Sequence, residues 1–159
     1  MARCFLIATL LSCSLSAQTI DRPVRAVVDP GVVTTRQTIT PAGVPTVFQG
    51  KVYGVAFGES AERLWVLSTT QLYEMDWRAN RVLSNIPHGS TPGLQGIAFR
   101  QRPLLTAVPR RKGAALFTVE GGQLQAVATE FGVNNTGSPG LGGKLAVVPL
   151  ISENKVAVV

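Results

Sequence analysis

Short apolar runs separated by turn residues dominate the chain from residue 51 onward, and helical periodicity is hard to find. The runs VYGVAF (52–57) and RLWVLST (63–69) come first. QLYEMDW (71–77), in which alternate positions share a face, and RVLSNIP (81–87) follow. Runs rich in β-branched and aromatic residues, bounded by Gly, Asn, Ser and Pro, are typical of strands joined by tight turns. The pattern predicts a four-stranded antiparallel meander in this part of the chain.

The same pattern recurs further along the chain. In LQGIAF, Gly96 stands where Gly54 stands in VYGVAF, 42 positions earlier. PLLTAVP, AALFTVE and QLQAVAT follow in order, so a second four-stranded unit is expected. KLAVVPL then opens a third unit, with Ala146 matched to Ala98, and KVAVV continues it.

A four-stranded unit that recurs every ~40–45 residues has the period of a β-propeller blade. The predicted fold class is therefore all-β, a propeller with about two and a half four-stranded antiparallel blades. The blades are expected at about 51–90, 91–132 and 142–159. A closed propeller needs ~4–8 blades. We therefore expect the chain to be the N-terminal part of a longer protein or the product of a truncated gene. Its first partner would be the missing remainder of its own propeller.

Particular residues are expected to build the blades rather than to perform chemistry. Trp65 and Trp77 are interpreted as packing between blades, because an indole buries a large apolar area. Asp76 is interpreted as a turn residue. The full set of expected blade positions is Gly54, Phe57, Trp65, Asp76, Trp77, Gly96, Phe99, Gly121 and Gly122.

LYEMDWRANRVLSNIP (72–87) resembles the strand-turn-strand signature of the YVTN or YncE-like bacterial propeller repeats. In that family an aspartate ends the third strand, and a short turn leads into the fourth; Asp76 matches the aspartate. RAN replaces the usual Thr-Gly turn, and Asn80 can adopt the left-handed conformation that glycine would supply. The second unit departs further, with Glu120 followed by Gly121-Gly122. The resemblance implies an exported binding scaffold.

A proline-rich lead-in, residues 18–50, precedes the first unit and is expected to be extended, with one or two edge strands. Its segment DPGVVTTRQTITPAGV resembles the lead-in of secreted bacterial propeller proteins that carry a phosphoesterase domain downstream. That resemblance implies a second possibility, an enzyme whose catalytic domain lies beyond this chain.

Residues 1–17 have the layout of a secretory signal. Arg3 precedes an apolar run, and small residues lead up to Ala17, after which cleavage is expected. LLSC, ending at Cys13, is also a loose lipobox, so lipidation of Cys13 is the alternative. We expect export to the periplasm or the extracellular space, with no transmembrane segment after signal cleavage. The two cysteines lie inside the signal, so cleavage after Ala17 leaves no thiol for a disulfide or a metal site.

The formal net charge is +6. The basic residues cluster at Arg100, Arg102, Arg110, Arg111 and Lys112, each group beside a proline or glycine. Nucleic-acid surfaces usually combine such a cluster with several stacking aromatics, and only two phenylalanines lie nearby. The cluster is therefore interpreted as solvated loop charge, with no nucleic-acid partner.

Candidate chemistry is sparse, and we predict no catalytic, metal-binding or cofactor-binding residue. His88 is the only histidine and is interpreted as a solvated loop residue. A Ser-His-Asp arrangement would need Ser60 or Ser90, and neither lies in a nucleophile elbow. GSPGLGGK (137–144) departs from the phosphate-loop pattern at two positions and is interpreted as a loop between blades.

Glu74 and Asp76 share one face of a strand, which is one requirement of a paired-carboxylate site. The preferred interpretation is that they charge the solvent face of an exposed outer strand, with Arg78 and Arg81 as their complements.

Three functions remain open from the sequence. The first is a non-catalytic binding or assembly scaffold that binds an unknown protein or small molecule. Its ligand is expected at loops such as 87–93 and 134–143. The second is the propeller part of a larger secreted phosphoesterase, and the third is a truncated product with no function of its own.

Overall fold

The computed structural model describes residues 24–25, 46–48, 50–109, 113–132 and 135–159. Strands make up nearly all the regular structure in these ranges, so the fold class is all-β, as predicted. Strand β1 (Val24–Arg25) pairs antiparallel with β2 (Thr46–Val47) in the lead-in. The predicted signal, residues 1–17, lies outside the described residues.

The first sheet consists of β3 (Val52–Phe57), β4 (Arg63–Ser68), β5 (Gln71–Asp76) and β6 (Arg81–Pro87). The strands are antiparallel and lie in chain order, as expected for a meander. Both β3 and β6 have the predicted bounds. This agreement follows from local signals, because glycine, asparagine and proline bound each apolar run.

The second sheet repeats this topology with β7 (Ser90–Phe99), β8 (Pro103–Pro109), β9 (Ala115–Glu120) and β10 (Gln123–Ala128). Strand β7 begins four residues before the predicted LQGIAF. Its first residues, Ser90, Thr91 and Pro92, pair with the end of β8, and a bulge separates them from the rest of the strand.

The third sheet has three strands: β11 (Gly140–Gly142), β12 (Leu145–Leu150) and β13 (Lys155–Val158). A short 3-10 helix (Ile151–Glu153) joins the last two. The interpretation of 137–144 as a loop is therefore wrong for Gly140–Gly142, which pairs with β12. Since β12 is the second strand of its sheet and β7 the first, the match of Ala146 to Ala98 is also wrong.

Two apolar layers hold the three sheets together. Between the first and second sheets, Trp65, Leu67 and Leu72 pack with Ile97 and Leu105. Between the second and third sheets, the buried residues are Leu116, Ala146 and Val148. The second sheet thus uses one face against the first sheet and the other against the third.

Gly54 allows the first strands of the first two sheets to approach closely, and Gly96 lies tightly within its own sheet. A Cβ at Gly54 would lie 2.9 Å from Cγ2 of Ile97 in β7. A Cβ at Gly96 would lie 2.7 Å from the carbonyl oxygen of Gly93 and 2.8 Å from that of Thr106. The two glycines matched in the sequence therefore both fill positions that a side chain would not fit.

In the first and second sheets, the turns between the third and fourth strands differ in sequence but occupy the same position in the sheet. After β5, the Oδ1 atom of Asp76 accepts a hydrogen bond from the Ala79 amide at 2.9 Å, and Asn80 has a φ of 50°. After β9, Gly121 and Gly122 have φ values of 56° and 74°. Both the expected turn role of Asp76 and the left-handed conformation of Asn80 are confirmed.

Candidate binding surface

Among the described residues, neither the second nor the third sheet packs against one face of the first sheet, and we call it the front face. It carries Val55 and Phe57 from β3 and Leu64 from β4, together with Val52 and Trp77 at its margins. Val55 and Phe57 are 57% and 62% exposed. Phe57, expected to be a blade position, therefore lies on an open surface.

Part of the front face is covered by the lead-in. Phe48 packs on the ring of Tyr73, with 5.3 Å between ring centroids, and Val66 and Met75 are buried in the same cluster. The uncovered part forms a groove of about 720 Å³ beside β3. The residues lining it are Thr46, Phe48, Val52, Val55, Phe57, Leu64, Val66, Trp77 and Arg78.

Polar contacts fix the rim of this groove. The indole Nε1 of Trp77 donates a hydrogen bond to the Ala61 carbonyl at 2.6 Å. The guanidinium of Arg78 lies 4.9 Å from the indole centroid and 3.8 Å from the carboxylate of Glu62. Trp77 thus packs against the buried cluster of its own sheet rather than between sheets, which differs from the prediction. Trp65 does lie between two sheets, as predicted.

The repeat explains why the front face is apolar. Counting from Gly54 and Gly96, Val55 corresponds to Ile97 and Phe57 to Phe99. Ile97 is 4% exposed, and Phe99 packs against the core between the first and second sheets. The front face therefore presents the kind of surface that the second sheet buries against the first.

The third sheet has a matching open surface, which we call the rear face. Because side chains alternate along a strand and Ala146 and Val148 point toward the second sheet, the residues between them point away. Val147 pairs with Val158 and Pro149 with Val156, so these four share the rear face. Val156 and Val158 are each 63% exposed.

The two segments at which a ligand is expected, 87–93 and 134–143, lie next to each other, with Gly93 against Thr136. Of 87–93, all but the turn at His88 and Gly89 belongs to strands. In the described part of 134–143, the Thr136 carbonyl accepts a hydrogen bond from the Leu94 amide at 2.8 Å. The Gly137 carbonyl accepts another from the buried hydroxyl of Thr106, also at 2.8 Å.

A smaller cavity of about 380 Å³ lies where the first strands of the sheets meet. Val52, Gly54 and Val55 line it from β3, Gln95 and Ile97 from β7, and Ser138 from the segment before β11. Tyr53 of β3 also lines this cavity and is the one titratable residue of its lining.

His88 is not the solvated loop residue that was predicted. It is half-buried, and its Nε2 lies 3.0 Å from the carbonyl oxygen of Ser68. Its Nδ1 is buried and has no hydrogen-bond partner in the described part of the chain. The histidine links the turn after β6 to the end of β4, which is a structural role.

The acidic pair is arranged differently from the prediction. Glu74 and Asp76 do share a face, but β5 is the third of four strands and not an exposed outer strand. The carboxylate of Glu74 lies 3.4 Å from the guanidinium of Arg63, while Arg78 pairs with Glu62. Glu74 thus contacts Arg63, and Asp76 contacts the Ala79 amide of the turn.

The basic cluster is only partly described, because Arg110, Arg111 and Lys112 lie outside the described residues. Arg100 donates to the Gly143 carbonyl, and Arg102 pairs with Glu120. Both arginines thus contact protein atoms.

Within the described ranges, no group of three His, Cys, Asp or Glu side chains lies close enough to hold a metal ion. In the same part of the chain, no helix has the length and apolar character needed to cross a membrane.

Sequence reasoning identified the repeat but missed the front and rear faces as surfaces. A signal was available for the front face, since Val55 and Phe57 align with residues of the second unit and residues 1–50 contain no matching run. The chain matches no protein-family model, and a search of the curated proteins finds no match either.

Proposed function

We propose that this chain is an exported β-propeller segment that serves as a non-catalytic binding or assembly scaffold through its two end faces. The observation that carries the proposal is the stack of three sheets, each packed on the next, with apolar surface open on the first and the last. The convergence of the first strands around one cavity supports a propeller-like arrangement.

An exposed apolar surface of this kind favours association over catalysis. Large apolar patches on soluble proteins commonly mark interaction sites. The groove of the front face is lined by aliphatic and aromatic side chains, with one cation at its rim. Such a lining binds apolar side chains, and Arg78 is its one charged residue.

The test compares two valine-to-glutamate variants that are matched in residue type and exposure. Val55 is 57% exposed on the front face, and Val127 is 55% exposed on β10, away from both end faces. The readout is native sedimentation of the chain in the exported fraction of its own cells. We expect the wild type and Val127→Glu in a complex larger than one chain, and Val55→Glu shifted to the mass of one chain. Wild-type sedimentation as a single free chain would contradict the assembly function.

A further inference from the structure

We propose that two copies of this chain associate head to tail, with the rear face of each copy packed on the front face of the other. The six sheets of the two copies then form one closed ring. This inference rests on the proposed assembly function and names its partner as a second copy of the chain.

The exposed apolar surface is concentrated on these two faces. Eleven large apolar side chains are exposed among the described residues. Seven of them lie on the two faces: Val52, Val55 and Phe57 in front, and Leu145, Val147, Val156 and Val158 at the rear. The two ends of the stack therefore carry most of the apolar surface that remains to be buried.

The two faces can pack on each other in the way that the sheets already pack within one copy, the rear of one sheet on the front of the next. The front of the second sheet, with Ile97 and Phe99, packs on the first sheet. The front of the first sheet presents the equivalent residues, Val55 and Phe57, to solvent. The rear face of the third sheet is equivalent in position to the faces by which the first sheet packs on the second and the second on the third. A rear-to-front contact between copies thus continues the internal packing.

Charge does not oppose this contact at its centre. The rear face consists of uncharged residues: Leu145, Val147, Pro149, Val156 and Val158. The one charged residue that lines the front groove is Arg78, which lies beside Glu62. The net charge of +6 does cause repulsion between copies at long range. Salt screens that repulsion within about 8–10 Å, so association strengthens from low to moderate salt.

The area available favours a closed pair over a single contact. Five residues of strand span ~17 Å, and three strands side by side span ~14 Å, so one face projects roughly 240 Å². A closed pair uses both faces of each copy, roughly 500 Å² in projection, and side-chain relief makes the accessible area larger. That is comparable with the ~800 Å² per partner of a standard interface, whereas one face alone offers about half.

Closure also explains why association stops at two copies. Head-to-tail contacts generate a ring when the rotation closes and a filament when it does not. The three sheets of three or four strands in each copy make six in the pair, which lies within the ~4–8 blades of closed propellers. A closed pair leaves neither end face exposed.

The experiment is sedimentation velocity of the purified chain over a range of micromolar concentrations. We expect twice the chain mass for the wild type and for Val127→Glu. Val55→Glu and Val156→Glu each place a carboxylate inside both contacts of the ring, so we expect the dissociation constant to rise at least about 100-fold. Circular dichroism and urea unfolding check whether each variant is folded. We expect all three to fold, because each of the three valines is exposed in a single copy.

Mixing the two variants distinguishes head-to-tail from face-to-face pairing. The Val55→Glu copy keeps an intact rear face, and the Val156→Glu copy keeps an intact front face. Their mixture therefore recovers one of the two contacts, and we expect an open heterodimer at concentrations where each variant alone is monomeric. A front-to-front or rear-to-rear dimer would not recover in this way.

Each contrary outcome overturns the proposal. A wild-type monomer at high micromolar concentration excludes the second copy as partner, and a series of species beyond two copies shows a filament in place of a ring. Failure of the mixed variants to associate excludes head-to-tail pairing. If the purified chain is monomeric but sediments in a larger complex in the exported fraction, this inference fails while the scaffold function stands.

Discussion

At position 96, the absence of a side chain lets β7 lie close to Thr106 of β8 and to its own residue Gly93. A Cβ there would meet two backbone carbonyl oxygens within 2.8 Å, and backbone gives way less readily than the end of a flexible side chain. We expect Gly96→Ala to lower the free energy of unfolding by about 1–3 kcal/mol. Gly89→Ala is the control, because a Cβ there meets nothing within 4 Å and should change stability by less than ~0.5 kcal/mol. Urea unfolding measures both, and equal effects would contradict the packing role of Gly96.

Asp76 acts through one acceptor atom in the turn after β5. Its Oδ1 accepts the Ala79 amide, so Asp76→Ala removes a hydrogen bond at a net cost of about 0.5–1.5 kcal/mol. Asp76→Asn keeps an oxygen at the same place and should retain most of the stability. If the asparagine variant loses as much as the alanine variant in urea unfolding, the carboxylate charge rather than the turn geometry is responsible.

The strands differ in how far local sequence predicts them. The bounds of β3, β6 and β8 agree with the pattern, because turn residues bound their apolar runs. Strand β11 was missed because Gly-Leu-Gly has almost no side-chain pattern, and only pairing with β12 makes it a strand. The alternation in a strand shows which residues share a face but not what covers that face. It therefore did not separate Trp65, between two sheets, from Trp77, beside an open groove.

Thr106 joins the second sheet to the segment that leads into the third. Its buried hydroxyl donates to the Gly137 carbonyl, so Thr106→Val, which has a similar shape, leaves that buried oxygen unpaired. We expect a loss of about 1–3 kcal/mol in the free energy of unfolding. Hydrogen exchange gives a second measurement, in which faster exchange should be concentrated in β12 and β13. Uniformly faster exchange throughout the chain would contradict a local role for this bond.

At the scale of the whole molecule, the repeat predicted sheets that stack in sequence, and the structure adds which faces remain open. The three sheets share one packing scheme because each has two apolar faces, and a sheet with two apolar faces is stable only when both are covered. What covers the end faces depends on the molecule's partners, and the pattern within one chain does not encode it directly.

Processing of the first residues is a prediction for the whole molecule. If residues 1–17 are a signal, the accumulated chain begins at Gln18 and contains no cysteine. Intact-mass measurement of the protein from the exported fraction checks this. A lipid on Cys13, with the protein retained in the membrane fraction, would establish the alternative route. An unprocessed Met1 form in the cytoplasm would contradict export.

The equivalence of Gly54 and Gly96 has a consequence for how such a gene can change. The rear of the first unit packs on the front of the second, and the front of the first unit carries residues equivalent to those of the second. Every unit therefore has a front that fits the rear of another unit. Unequal recombination between two units would add or remove one sheet and still leave every remaining junction between compatible surfaces. Unit number is thus free to drift among descendants, and the number of copies needed to complete a ring would drift with it.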